Sequence, residues 1–418
     1  MTSEWVTSSL LDHYDVRSGL SKPAKDFGSG YPFLTFKDVF YHYFTPELLG
    51  DFVQSTQKER EGCSVLRGDV FLTRTSETMH ELGMSCVALR DYKDATFNGF
   101  CKRLRPKPDS DLLPEYVGYY LRSPKFRQSM LALSTMSTRA SLNNEMIGRL
   151  EISFPSRNAQ TWISGILKSL DDRITLLRET NATLEAIAQA LFKSWFVDFD
   201  PVRAKMEGRA PEGMDETTAK LFPDGLEASE LGAVPAGWSV GQLQDLLLLQ
   251  RGFDLPSQER QPGAFPIIAA SGPSGSHFVH MAKGPGVITG RSGVLGRVFL
   301  ELGDYWPLNT TLWVKEFRAA TPCYAYEVLR LLDFKSFNAG SAVPTLNRNH
   351  IHSLRYLIPS RACVEAYEQL ALQLQLKVRA NSEQAQTLIS LRDMLLPRLI
   401  SGQWRLPDVE TEIEVIAA

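Results

Sequence analysis

The sequence predicts an α+β protein of two mixed α/β domains in an inverted, pseudo-twofold arrangement, separated by an antiparallel two-helix coiled coil. Three observations lead to this prediction. The chain of 418 residues is longer than one hydrophobic core usually serves, so two domains are expected. Its two halves repeat the same residue pattern in the same order. Each half ends in a long, proline-poor stretch with leucines at heptad spacing.

The internal repeat is visible at several separated places. Trp5 and Gly19 recur as Trp238 and Gly252, which is a displacement of 233 positions from 5 to 238. Later matches have smaller displacements, of 208 positions from 114 to 322 and of 204 from 142 to 346, which indicates that loop lengths differ between the copies. The later matches set Pro114, Tyr116, Leu121 and Arg122 against Pro322, Tyr324, Leu329 and Arg330, and Leu142, Ile147 and Leu150 against Leu346, Ile351 and Leu354.

Each copy is predicted to combine strands with a short helix. The runs 69–73 and 286–289 are rich in residues that fit a pleated surface, so both are expected to be strands. In the second copy, Thr321 and Pro322 are a capping residue and a first-turn proline for a helix that begins there. The two copies are therefore expected to be mixed α/β domains.

The first long helix is predicted from a proline-free stretch from Ala159 to Trp195. Its heptad leucines are Leu170, Leu177, Leu184 and Leu191. Placing them at d positions puts Asn181 at an a position within an otherwise apolar seam. The displacement of 204 positions gives the second helix the d residues Leu374, Asn381, Leu388 and Leu395. This second seam has a weak point at Arg392.

The two helices are expected to align antiparallel so that Asn181 meets Asn381. A buried asparagine pair specifies alignment at some cost in stability. We therefore expect register and domain spacing to depend on Leu170, Asn181, Leu184, Leu374, Asn381 and Leu388. The alternative is that each helix packs only on its own domain and leaves the asparagines exposed. Length argues against it, since ~37 residues at roughly 1.5 Å each give about 55 Å, more than one small domain covers.

Six segments follow from these patterns. They are a first domain at 1–157, a first spacer helix at 158–200, a linker at 201–237, a second domain at 238–360, a second spacer helix at 361–404 and a tail at 405–418. The linker is inferred from its four prolines and several glycines. Pro397 should kink or stop the second helix, and the tail is expected to be loosely ordered. Because the second helix runs back along the first, the domains are expected at opposite ends of the pair.

Composition excludes several classes of protein. The five cysteines are far apart without a Cys-x-x-Cys pair, which favours buried, reduced thiols over disulfides or a zinc site. The histidine pairs at 277 and 280 and at 350 and 352 have no third ligand at metal-site spacing, so no metal site is expected. No run of eighteen apolar residues and no signal sequence is present, which predicts a cytoplasmic protein without a membrane partner.

Charge alone does not indicate a nucleic-acid partner. The formal net charge of −3 excludes a protein that coats DNA by charge, because non-specific affinity comes chiefly from lysine and arginine on phosphates. Two local basic runs soften this objection. They contain Lys102, Arg103, Arg105 and Lys107, and Arg122, Lys125 and Arg127. A DNA-facing surface and an ordinary solvated face both remain open for these runs.

No catalytic motif is found. A DNA methyltransferase would show a glycine-rich cofactor loop and an Asn/Asp-Pro-Pro-aromatic motif, and neither is present. The glycine-rich segment 284–293 lacks the Gly-Lys-Ser/Thr ending of a phosphate loop, so it is expected to be a strand and tight turn. No catalytic residue is predicted.

Four segments of the chain resemble the specificity subunits of type I restriction-modification systems. They are GDVFLTRTSE at 68–77, LFKSWFVDFDPV at 191–202, ELG at 230–232 and WPLNTTL at 306–312. The segment at 191–202 is the most specific, and together the four span most of the chain. Heptads alone would be weaker evidence.

The resemblance implies a non-catalytic subunit with two target-recognition domains, each reading one half of a split, asymmetric double-stranded DNA target. The helices would space these domains and bind two modification subunits, which methylate adenine, and restriction subunits would join them. S-adenosylmethionine, ATP and magnesium would belong to those partners, with no cofactor in this chain. The rival interpretations are a coiled-coil scaffold or adaptor that never reads DNA and a modification-restriction fusion that has lost its catalytic part.

Candidate DNA contacts follow from side-chain chemistry, because arginine pairs with guanine and asparagine with adenine. The candidates are Arg74, Ser76, Arg105 and Arg139 in the first domain, and Arg291, Ser292, Asn309 and Arg348 in the second. The alternative for each is a structural salt bridge or a turn residue.

Overall fold

A computed structural model describes residues 5–75, 81–134, 141–337 and 345–404. The chain divides into two compact units, Met1–Leu176 with Gln384–Ala418, and Leu177–Glu383. Both units combine helices with small sheets, and each contains one portion of both long helices. The α+β prediction with two domains and a long helix pair is thereby confirmed.

The first unit contains three sheets within its described residues. Its strands are β1 (Val6–Ser9), β2 (Tyr14–Ser18), β3 (Phe27–Leu34), β4 (Asp51–Val53), β5 (Val70–Thr73), β6 (Ser85–Val87), β7 (Thr96–Phe97), β8 (Cys101–Pro106) and β9 (Glu151–Phe154). Its short helices are α1 (Leu10–His13), α2 (Phe36–Tyr41), α3 (Gln57–Gly62), α4 (Pro114–Tyr120), α5 (Pro124–Ser134) and α6 (Asn144–Gly148), with a 3-10 turn at Ala24–Asp26. The strand orders are β1-β9, β2-β8-β5-β6 and β4-β3-β7. The long helix α7 (Arg157–Phe196) follows β9.

In the second unit, a helical and hairpin segment follows α7 and precedes three further sheets among the described residues. The opening elements are α8 (Asp200–Met206), α9 (Glu216–Ala219), β10 (Leu226–Ser229) and β11 (Gly232–Pro235). The remaining strands are β12 (Ser239–Gln242), β13 (Leu247–Arg251), β14 (Phe265–Ala269), β15 (Gly272–His277), β16 (Gly286–Gly290), β17 (Val298–Glu301), β18 (Trp306–Pro307), β19 (Thr311–Phe317) and β20 (Arg355–Ile358). The remaining helices are α10 (Leu243–Leu246), α11 (Pro322–Leu331), α12 (Arg348–His352) and the long α13 (Arg361–Ile400), with 3-10 turns at Ser257–Glu259 and Phe334–Phe337.

The internal repeat is a repeat of structure. The second unit has the strand orders β12-β20, β13-β19-β16-β17 and β15-β14-β18, in which every strand corresponds to one of the first unit. Even the register agrees, because Val6 pairs with Phe154 and Ser239 pairs with Ile358. These are the partners that the displacements of 233 and 204 positions predict.

The repeated glycines mark a close approach of two chain segments. A Cβ at Gly19 would lie 2.2 Å from the backbone oxygen of Asn98, and a Cβ at Gly252 would lie 2.2 Å from that of Leu308. Real Cβ atoms do not approach so closely, so only glycine fits either position. The same steric requirement explains the recurrence of glycine in both copies.

Each unit has a core to which both long helices contribute. In the first unit, Leu167 of α7 and Leu395 of α13 are buried in one apolar cluster with Tyr116 of α4. In the second unit, Phe192 of α7 and Tyr367 of α13 share a cluster with residues of α11 and β19. The helices are therefore part of each domain's core as well as partners of each other.

The predicted asparagine pair is present in the second unit. Asn381 Nδ2 donates to Asn181 Oδ1 at 2.9 Å, and Asn181 Nδ2 donates to Val378 O and Ser382 Oγ at 3.0 Å. Asn381 is only 2% exposed, which contradicts the alternative of exposed asparagines. The leucines Leu170, Leu184, Leu374 and Leu388 are half-buried. Their part in domain spacing stays a prediction.

The segment 201–237 is folded, which corrects the expectation of a linker. It holds α8, α9 and the β10–β11 hairpin, and Val202, Phe222 and Val234 are buried in the core of the second unit. Its prolines and glycines serve these short elements instead: Pro201 lies in the first turn of α8, and Gly232 adopts a φ of +98° at the hairpin. The apolar residues between these prolines and glycines decide that the segment folds, because the free energy gained by burying them outweighs the local preference of proline and glycine for turns.

The second long helix does not stop at Pro397. It continues for three residues to Ile400 and is followed by Gly402 with a φ of +72°, a conformation that suits glycine after a helix. The tail at 405–418 lies outside the described residues. Within the described part of the chain, no helix combines the length and apolar character needed to span a membrane.

Candidate nucleic-acid interface

The Arg74 side chain projects from the end of β5 and is exposed. Its backbone is held on both sides, because its N–H donates to Phe100 O at 2.7 Å and its carbonyl accepts from Leu142 N–H at 2.8 Å. Phe100 is itself 61% exposed. A fixed backbone with an exposed guanidinium is the arrangement that presents an arginine to a ligand.

Arg291 occupies the equivalent place at the end of β16. Its N–H donates to Thr310 O at 2.8 Å, and its carbonyl accepts from Leu346 N–H at 2.8 Å. Its guanidinium is half-buried and donates through Nη1 to Asn309 O at 3.3 Å. The two candidate arginines therefore correspond in structure, which their displacement of 217 positions from 74 to 291 did not reveal in the sequence.

The neighbouring candidates of the second domain lie beside Arg291 or one element away. Ser292 donates its N–H to Thr310 O at 3.1 Å and forms an isolated antiparallel bridge with Thr345. Asn309 donates through Nδ2 to Asp254 Oδ1, so one of its amide donors is already used. Arg348 is the exposed first residue of α12. Ser292 and Asn309 are thus close to Arg291, and Arg348 lies on the following helix.

Arg105 has a structural role in this fold. Its Nε and Nη2 donate to the two carboxylate oxygens of Asp69 at 2.7 and 2.6 Å, and Asp69 is fully buried. These bonds raise the pKa of Arg105, although burial opposes the rise. The structural ion pair, rather than base reading, is therefore the favoured interpretation for Arg105. The candidates Ser76 and Arg139 lie outside the described residues.

Most of the basic runs also serve the fold. Arg122 donates to four backbone carbonyls, including Ser85 O at 2.7 Å and His42 O at 2.8 Å. Arg103 donates through Nη1 to Ser64 O at 2.7 Å, and burial lowers the pKa of both arginines. These guanidiniums hold loops in place, which a count of basic residues in the sequence cannot distinguish from DNA contacts.

Lys102 differs from these arginines, although in the sequence it is only one member of a basic run. Its Nζ donates to Ser18 Oγ and Asn144 Oδ1, each at 3.1 Å, next to the end of β5. Burial and then the positive charge of Arg74 lower the pKa of Lys102, and no carboxylate among the described residues offsets them. Two cations held close together form a site for an anion such as a DNA phosphate.

Known proteins resemble this chain in sequence. Residues 2–186 match the family described as type I restriction modification DNA specificity domain. The chain is 23% identical to the type I restriction enzyme MjaIX specificity subunit of Methanocaldococcus jannaschii, with 97% of this chain and 95% of that protein covered. It is 25% identical to the type I restriction enzyme HindI specificity subunit of Haemophilus influenzae, with 71% and 79% covered. The second match is shorter, but both extend well beyond the first domain.

A solved structure shows the same fold. The S subunit of a type I restriction-modification system from M. genitalium superposes with a TM-score of 0.56 over 95% of this chain and 96% of that chain. The two sequences are 15% identical, so the likeness supports the fold and not individual contacts. It agrees with two repeated domains and a long helix pair.

Proposed function

We propose that this chain is a specificity subunit of a type I restriction-modification system, like the proteins that it resembles, and that its two domains each read one half of a split DNA target. The observation that carries the proposal is the structural repeat with Arg74 and Arg291 at equivalent places. Two copies of one reader on one chain suit two half-sites on one duplex. A coiled-coil scaffold that does not read DNA would not require two copies of the same domain.

The proposed target contacts fall into two kinds. Arg74 and Arg291 have the planar donor geometry that pairs with a guanine edge, and Ser292, Asn309 and Arg348 flank the second site. Lys102 is better placed for a phosphate, because a lysine ammonium is a point charge without bidentate geometry. Phosphate contacts would position the first domain, and the arginines would supply sequence discrimination.

The two half-sites are expected to differ in sequence. The first domain inserts α2 between β3 and β4, whereas the second joins β14 to β15 by a two-residue turn. At the position of Lys102 the second domain has Leu312, since Thr73 pairs with Cys101 where Gly290 pairs with Thr311. Readers that share a scaffold but differ in loops and charges would read different bases, which gives an asymmetric target.

We further propose that the domains, 1–157 and 238–360, lie in an inverted, pseudo-twofold arrangement and that two modification subunits bind the chain. Each unit packs one portion of the helix pair on one domain, which provides two similar junctions. Apolar side chains that stay exposed on the long helices, such as Ile187, Leu370 and Leu376, suit a protein partner. S-adenosylmethionine, ATP and magnesium would be bound by the modification and restriction subunits, and the complex would act in the cytoplasm.

The test is co-expression of this chain with its modification subunit, followed by base-resolution sequencing of methyladenine in host DNA. A split, asymmetric motif with one fixed spacer is expected. A stable complex that leaves host DNA without such a motif would contradict the proposal and favour the scaffold.

A further inference from the structure

Arg392 is the weak point of the second helical seam. Its side chain is only 16% exposed, although it carries a full charge. Nη1 donates to Asp171 Oδ1 of α7 at 2.6 Å, and Nε and Nη2 donate to Asp393 at 3.0 and 2.8 Å. Burial lowers the pKa of Arg392, but the bonds to both carboxylates outweigh it and raise the pKa. The arginine is therefore an ion-paired bridge between the two long helices.

The same bridge reaches the first domain. The second oxygen of Asp171 accepts a hydrogen bond from Tyr119 OH of α4 at 2.8 Å. The Arg392 guanidinium lies 5.5 Å from the ring centroid of Tyr43, whose ring lies 5.5 Å from that of Tyr119. Tyr43, Tyr119, Asp171 and Arg392 form one connected set, here called the Arg392 network. It joins both long helices to the domain that packs on them.

A network of this kind favours one orientation. The hydrophobic effect is non-directional, whereas charge-assisted hydrogen bonds are short and directional. A buried ion pair gives little net stability compared with apolar residues of the same volume, and selection for a defined geometry is one reason to retain it. Burial and the Asp171 charge raise the pKa of Tyr119, so its hydroxyl keeps the proton that it donates.

The second unit folds with the same topology without this network. The displacements of 204 and 208 positions place Ala188, Gln375 and Glu327 where the first unit has Arg392, Asp171 and Tyr119. There Tyr367 OH donates to Ala188 O at 3.1 Å, and Glu327 pairs with Arg330 of its own helix. The fold itself therefore does not require the network.

We propose that the Arg392 network fixes the orientation of the first domain on the helix pair and thereby restricts the spacer between the two half-sites. This inference rests on the proposed function, because a spacer has meaning only for a chain that reads two half-sites. Arg392, Asp171 and Tyr119 are positioning residues in this account. They contact no DNA themselves.

The test replaces the network by apolar side chains in the triple variant Tyr119→Phe, Asp171→Leu, Arg392→Met. No buried charge is left unpaired, because Asp393, which also loses its arginine partner, is 57% exposed and stays solvated, so the melting temperature of the complex should not fall. Methyladenine sequencing should show sites with a spacer one base pair longer or shorter rising at least roughly tenfold relative to the original spacer. The variant loses the hydrogen bonds of Asp171 to Arg392 and Tyr119, and the loss of one charge-assisted hydrogen bond alone has about that effect. The motif of each half-site should stay the same.

The control variant is Arg379→Met, which removes an arginine from the same helix. Arg379 is half exposed and pairs with Glu383 on its own helix, so the spacer ratio should not change. A folded triple variant with the wild-type ratio would overturn the inference. If the triple variant fails to fold, Tyr119→Phe alone removes the hydroxyl link to α4, and an unchanged ratio there would overturn it as well. Absence of any split motif with the wild-type chain would instead contradict the proposed function.

Discussion

The asparagine pair of the long helices gives a prediction whose size follows from the structure. In the variant Asn381→Leu, Asn181 Oδ1 loses the donor that lies 2.9 Å away. Because Asn381 is 2% exposed, water cannot readily replace that donor, and an unpaired buried polar group costs about 1–3 kcal/mol. The free energy of unfolding of the complex, measured in denaturant, should fall by this amount.

The double variant Asn181→Leu, Asn381→Leu should recover the loss and reach or exceed wild-type stability, because it converts the polar layer into an apolar one. Gln386→Leu, at an exposed position of α13, is the control and should change stability by less than about 0.5 kcal/mol. A double variant as unstable as the single one would refute the view that the two asparagines satisfy each other's hydrogen bonds in a buried pair.

Cysteines at 181 and 381 should also crosslink readily, and preferential crosslinking of 181 to 374 would refute the register.

Further predictions concern the candidate DNA interface. Arg74→Ala should weaken discrimination at one half-site by about 1–3 kcal/mol and Arg291→Ala at the other, measured by binding to duplexes altered in one half; loss at both halves from one variant would contradict the assignment. Lys102→Gln should make the fall of log affinity with log salt less steep, by about 1 in the slope, without changing the motif. Lys107→Gln is the control and should leave that slope unchanged, because the Lys107 amine donates to a backbone carbonyl. Arg105→Met should cost roughly 3 kcal/mol of stability by leaving a buried carboxylate unpaired, and a change of motif at unchanged stability would show that Arg105 reads bases after all.

The features that the sequence predicts correctly are periodic or repeated. The heptad register places Asn181 opposite Asn381 because a long helix has fixed geometry, so spacing along the chain becomes spacing in the structure. The displacements between the copies likewise predict the pairing of Val6 with Phe154 and of Ser239 with Ile358. Both results depend on counting positions, which a sequence allows.

The features that sequence reasoning missed depend on tertiary contacts. The carboxylate that accepts hydrogen bonds from Arg105 belongs to Asp69, 36 positions earlier in the sequence. Lys102 differs from its basic neighbours only through where β8 places it, beside Ser18 and Asn144. The prolines and glycines in 201–237 do not indicate that Phe222 is buried. Side-chain partners across a sheet are set by strand pairing, which local composition does not reveal.

The central claim is that each domain reads its own half of the target, and a domain exchange tests it most directly. Residues 1–157 would be replaced by the same region of a related specificity subunit with a different target, and methyladenine in host DNA would be sequenced at base resolution. The account predicts that one half of the motif changes while the other half and the spacer stay the same. A change in both halves, or in neither, would contradict it.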